Sequence, residues 1–158
     1  VEDNVRFPLD FFSSMSAAEK DQRVAFCLDR VRIPQSALAK NPAELSGGMQ
    51  KRVAIARAIV LNPKYLFCDE PNSGLDPETS IVIDQLIQEI THEFGMTTVV
   101  NTHDMNSVLE IGDHVVLMRH GYKVWEGAGP DILQSTDQEV VDYVFRSALF
   151  KKVRAALK

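Results

Sequence analysis

Residues 64–77 read Lys64-Tyr65-Leu66-Phe67-Cys68-Asp69-Glu70-Pro71-Asn72-Ser73-Gly74-Leu75-Asp76-Pro77. The short unbroken apolar run from Tyr65 to Cys68, closed by two adjacent acids, is the pattern of a buried parallel strand. In open α/β sheets the carboxyl ends of the strands face the crevice where ligands bind, so Asp69 and Glu70 suit Mg²⁺ and the activation of water. Taken alone, the pair fits a solvated strand cap equally well. Asp76 then supplies an N-cap, Pro77 a first helical residue and Glu78 an early acid. Ile83, Leu86, Ile87, Ile90 and Phe94 mark one apolar face, and Gly95 ends the helix. Thr97 to Asn101, rich in β-branched residues, predicts a second buried strand.

Upstream, Ser16-Ala17-Ala18-Glu19 is a capping box, followed by Val24, Cys27, Leu28 and Val31 at helical spacing, so a helix is expected from about Ser16 to Arg32. Pro34 and Pro42 bound a connecting stretch. Leu45-Ser46-Gly47-Gly48-Met49-Gln50 opens a second helix that runs to about Leu61, where Asn62-Pro63 stops it. A serine and two glycines at a helix start expose backbone N–H groups to an anion such as phosphate. In isolation these residues also read as an ordinary glycine turn capped by Ser46.

Downstream, Asp104 caps a short helix through Ile111, and His114–Arg119 with Tyr122–Glu126 across His120-Gly121 reads as a β-hairpin. Pro130-Asp131 starts another short helix. The tail from Gln138 to Lys158 carries Val140, Val141, Val144, Phe145, Ala148, Leu149, Val153 and Leu157 on one helical face. Helices first, then strands alternating with helices, describe an α/β domain with a helical insertion.

Composition narrows the function classes. The chain has 158 residues, 45% hydrophobic and 25% charged, enough for one cored domain and unlike a disordered or collagen-like chain. Seventeen Lys and Arg stand against 22 Asp and Glu, a net charge of -5, which argues against a nucleic-acid partner. No apolar run approaches the roughly 18 residues of a membrane span, and a soluble chain is expected. Cys27 and Cys68 lack metal or CxxC spacing and read as reduced, buried hydrophobes. His92, His114 and His120 form no metal-ligand set, and Trp125 is expected to pack on the hairpin.

Together with Ser73-Gly74-Leu75-Asp76 and Thr102-His103-Asp104, the segments at Leu45 and Tyr65 resemble, in this order, the nucleotide-binding domain of ABC ATPases. The resemblance covers Val1 to about Leu133. It implies an α/β fold, an incomplete P-loop NTPase core with parallel strands and flanking helices plus a helical signature subdomain. On that basis residues 1–63 are the signature subdomain, 64–133 the C-terminal half of the catalytic core and 134–158 an amphipathic helical extension. Leu45 to Gln50 resembles the signature, with Met49 where the commonest form has glutamine. Through it Ser46, Gly47, Gly48 and Gln50 would serve the ATP of a second copy. Tyr65 to Glu70 resembles the Walker B strand, which implies that Asp69 holds Mg²⁺ through water and Glu70 acts as general base. Ser73 to Asp76 resembles the D-loop that bridges two such domains, which implies Asp76 among the nucleotide-binding residues, and His103 resembles the switch histidine that acts in catalysis at the γ-phosphate.

The implied cofactors are ATP and Mg²⁺. The implied partners are a second ATPase copy, head to tail, and transmembrane permease subunits that hold the protein to the cytoplasmic face of a bacterial inner membrane. No G-x-x-x-x-G-K-[ST] occurs: the one glycine pair is Gly47-Gly48, and no glycine directly precedes a lysine. The stretch Val1-Glu2-Asp3-Asn4-Val5 resembles the segment that follows the Q-loop glutamine in the family. The chain is therefore expected to be the C-terminal portion of an ABC ATPase, inactive alone.

Asn101 to Ile111, with Trp125-Glu126-Gly127, is similar to bacterial ATPases paired with Mce-type lipid-binding proteins, which implies phospholipid trafficking in the envelope. The tail would then meet a partner ATPase or a small regulatory subunit through Val141, Val144, Phe145 and Leu149, or else fold back on its own domain. The alternatives are the ATPase subunit of another importer or exporter, a non-transport ABC protein, or a non-catalytic regulatory fragment.

Overall fold

The computed structural model describes residues 1–146 and 148–156, in two compact units, Val1–Asn101 and the residues from Thr102 onward. The first unit opens with a helix that sequence patterning does not reveal, α1 (Glu2–Phe12), which contains Pro8. Proline removes an N–H and argues against a helix interior. Burial overrides it, because Val5 and Leu9, four residues apart, are wholly buried where α1 meets the next two helices, α2 (Ala17–Arg30) and α3 (Gly47–Ile59). The capping box of α2 forms as expected: the Ser16 backbone N–H donates to Glu19 Oε2 at 2.7 Å, and Ser16 Oγ accepts from the Glu19 N–H. Arg23 ties α2 to the end of α3 by donating to the carbonyls of Ile59 and Val60, both at 2.9 Å.

Strands β1 (Tyr65–Asp69) and β2 (Thr97–Asn101) pair in parallel, in register from Tyr65 opposite Thr97 to Asp69 opposite Asn101. Helix α4 (Pro77–Phe94) connects them, its Ile83, Leu86, Ile87 and Ile90 buried and Gly95 closing it in the left-handed conformation. The parallel pairing agrees with the apolar pattern, but the expected burial on both faces does not hold. Leu66 is 5% exposed, whereas Tyr65, Phe67 and Val99 are 64%, 75% and 49% exposed. Successive side chains alternate across a strand, so one face is covered and the other presents these three to solvent. Cys68 is accordingly half-buried rather than buried; Cys27 is buried as expected.

The second unit holds α5 (Met105–Ile111) and the antiparallel hairpin β3 (Val115–Arg119) with β4 (Tyr122–Gly127). His120 and Gly121 have φ of 51° and 82°, the positive angles of a tight hairpin turn. A 3-10 turn, Gly129–Gln134, leads to α6 (Gln138–Val144) and α7 (Ala148–Ala156). The tail is thus two helices where one face had been expected. Phe145 leaves the helical conformation to cap α6, and it is buried beside Val144 against Ile132 and Val140, with Trp125, Leu117 and Met105 around them. Val144 and Phe145, at 2% and 4% exposure, are core residues of this unit and offer no face to a partner. The tail readings at Ala148, Leu149, Val153, Leu157 and Lys158 lie outside the described side chains. Among the described residues no helix is long and apolar enough to cross a membrane.

Candidate nucleotide site

Asp69 ends β1, exposed, and its Oδ1 accepts from Asn101 Nδ2 at 2.7 Å. The pairing runs one residue further, since the Glu70 N–H donates to the Asn101 carbonyl at 2.8 Å. Glu70 itself turns to φ 47°, a left-handed conformation that a residue with a Cβ rarely adopts. Its carbonyl accepts from the Ser73 N–H and from Lys51 Nζ of α3, each at 3.2 Å. The strand thus holds the Asp69 backbone, and the chain turns at Glu70.

The chain from Glu70 to Asp76 folds as consecutive turns, with the Leu75 N–H bonded to the Asn72 carbonyl and Gly74 at φ 80°. Asn72 faces inward and donates through Nδ2 to Asp84 Oδ1 of α4 at 2.8 Å, both side chains buried. Asp76 caps α4 as its position predicts. Its carboxylate accepts from the Thr79 hydroxyl at 2.6 Å and the Thr79 N–H at 2.9 Å. The Thr79 hydroxyl, then its N–H, hold the exposed Asp76 carboxyl below the usual range.

Ser46 caps α3, its Oγ accepting from the Met49 N–H at 3.3 Å, and is exposed with Gly47 and Gln50. Gln50 folds back to donate to the Leu45 carbonyl at 3.1 Å. Gly48 is buried. A Cβ there would stand 2.5 Å from Thr79 Cγ2, and one at Gly47 would stand 3.3 Å from Leu75 Cδ2. The first turn of α3, the 70–76 loop and the first turn of α4 are therefore one packed assembly. It sets Gly47 against Leu75 and Gly48 against Thr79, beside the Asp76 cap and in the loop that follows β1. His103 belongs to the second unit, where it is exposed just before the Asp104 cap of α5.

Five residues here carry structure that the motif reading passed over: Lys51, Asn72, Thr79, Asp84 and Asn101. Asp84 had a sequence signal, an acid set between Ile83 and Ile87 on an apolar helix face. Lys51, Asn72 and Asn101 bond partners distant in the sequence, and Thr79 meets Gly48 in the same way, none of which spacing encodes.

Among the described residues no three His, Cys, Asp or Glu side chains converge on a metal position. A lone exposed carboxylate at a strand end fits Mg²⁺, which keeps several waters and takes one or two carboxylates plus substrate phosphates. It would not fit a cation that needs an all-protein cage.

The ABC transporter family model matches residues 1–73. The fold is also that of two solved dimeric structures of MJ0796, one described as a bacterial ABC transporter cassette and one as a post-hydrolysis state bound to ADP and Pi. Each has a TM-score of 0.70 at 36% identity, over 80% of this chain and 55% of that one. The chain has the fold of an ABC transporter ATP-binding domain. Proteins similar in sequence include the methionine import ATP-binding protein MetN 1 of Pseudomonas fluorescens, 43% identical over 132 residues. MetN of Caulobacter vibrioides is 45% identical over the same length. Each alignment takes in 84% of this chain, and the chain spans 39% of the length of these relatives. These names are of methionine importers, so the expected likeness to Mce-linked phospholipid systems gains no support from them.

Proposed function

We propose that these residues form part of the ATP-binding and ATP-hydrolysing subunit of an ABC importer. The observation that carries this reading is the order of elements, a glycine turn capped by Ser46 opening α3 and then β1 ending in Asp69 and Glu70, within the fold of an ABC transporter ATP-binding domain.

In this reading Asp69 holds Mg²⁺ through water, and Glu70 accepts a proton from the attacking water as general base. His103 contacts the γ-phosphate. Ser46, Gly47 and Gly48 present N–H groups and a hydroxyl to the ATP of a second, head-to-tail copy, with Gln50 beside them and Asp76 ordering the loop between the copies. When bound, MgATP supplies the transferable phosphoryl group. Residues 1–63 serve as the signature subdomain, 64–133 as part of the catalytic core and 134–158 as an extension. Transmembrane permease subunits are the partners that hold the protein at a membrane. Import is favoured over phospholipid trafficking because the relatives at 43–45% identity are named for methionine import.

The test is ATP hydrolysis by the protein that carries these residues, beside Glu70→Gln. The variant should bind ATP and lose turnover by at least about a hundredfold, the scale of a removed general base. Unchanged turnover in Glu70→Gln contradicts the reading.

A further inference from the structure

We propose that Lys51 is a positioning residue for Glu70, tying the backbone of the base to the helix that carries the signature. The inference rests on the reading of Glu70 as general base. The Glu70 peptide is gripped from both sides, its N–H by the Asn101 carbonyl at 2.8 Å and its carbonyl by the Ser73 N–H and Lys51 Nζ at 3.2 Å. Asn101 and Ser73 belong to the sheet and to the same loop. Lys51 comes from α3, and it delivers a charge-assisted bond to a backbone carbonyl in a partly buried position.

Its place on α3 gives that bond a direction. Lys51 follows Gly47 by four residues, so the two share one helix face. Gly47 meets Leu75 near the far end of the 70–76 loop, and Lys51 meets Glu70 at its start. One stripe of α3 therefore touches the loop at both ends. Glu70 sits at φ 47°, a conformation that needs its surroundings to hold it, and the aim of its carboxylate follows from that backbone. A shift of the signature turn on meeting nucleotide reaches Glu70 through the ammonium of Lys51. The residue touches no reacting atom in this account and acts only through Glu70.

The experiment compares wild type, Lys51→Met, Lys51→Arg and Glu70→Gln in the full protein with its membrane partner, measuring kcat, KM for ATP and melting temperature. A misplaced base costs turnover, not substrate binding. Lys51→Met should lower kcat about tenfold or more with KM within about twofold, and Lys51→Arg should restore kcat to within about threefold. Wild-type kcat in Lys51→Met overturns the proposal. So does a fall in kcat and melting temperature that Lys51→Arg fails to rescue, which marks a folding role. If Lys51→Met does not fold, Lys51→Gln, too short to reach the carbonyl, replaces it with the same expectation. Turnover that survives Glu70→Gln overturns the parent reading as well, and loss in Glu70→Gln with none in Lys51→Met overturns the positioning role alone.

Discussion

The Cβ that an alanine would add at position 48 falls 2.5 Å from Thr79 Cγ2, so Gly48 at the start of α3 is pressed against the first turn of α4. Gly48→Ala forces one of these elements to move, and overpacking of this kind costs roughly 1–3 kcal/mol. Thr79→Ser removes the methyl while keeping the hydroxyl that bonds Asp76. The double variant Gly48→Ala/Thr79→Ser should recover most of the stability lost in Gly48→Ala. Chemical denaturation of the three variants checks it, and strictly additive losses would contradict the contact.

Asp76 should show its capping role in a pH-dependent way. Asp76→Ala removes the acceptor for the Thr79 N–H and hydroxyl and should lower stability at neutral pH. The folded carboxyl titrates below the usual value, so its contribution is present above the unfolded pKa and disappears as pH falls through the folded one. Wild type and Asp76→Ala should therefore differ in melting temperature at pH 7 and converge in strong acid.

Glu70 keeps a left-handed backbone at φ 47°, which suits glycine better than any residue with a Cβ. Glu70→Gly should exceed Glu70→Ala in stability by roughly 1 kcal/mol, and neither should hydrolyse ATP. Equal stability would mean that the turn is not held in that conformation in solution.

Burial pushes the Cys27 thiol up to about 11, against a weaker opposing pull from Arg23. The folded state favours the neutral thiol, so stability from this group is intact below the ordinary thiol pKa and declines as pH rises toward 11. In a Cys68→Ser background, Cys27 should resist a thiol reagent at pH 8 and react once urea unfolds the protein.

Elements whose ends carry their own signals were legible from sequence. The Ser16 and Asp76 caps, the Gly95 stop and the His120-Gly121 turn each satisfy local backbone groups, so a few adjacent residues suffice to place them. Helix α1 was not legible, because Pro8 speaks against it and only burial of Val5 and Leu9 against distant helices speaks for it. Exposure of Tyr65, Phe67 and Val99 was hidden too, since an apolar run does not tell which face is covered. The motifs singled out Glu70, Ser46 and Asp76 as candidates. The bonds that join them, Lys51 to Glu70 and Asn72 to Asp84, depend on side chains far apart in sequence meeting in the fold.

If the signature of one copy serves the base of another in a composite site, mixing subunits reveals it. Ser46→Arg and Glu70→Gln proteins should each be inactive alone. Combined in one solution, they form some dimers in which one site holds both mutated residues and the other neither, so turnover should return. If the mixture stays inactive although mixed dimers have formed, Ser46 and Glu70 do not serve one site across two copies, and the account is wrong.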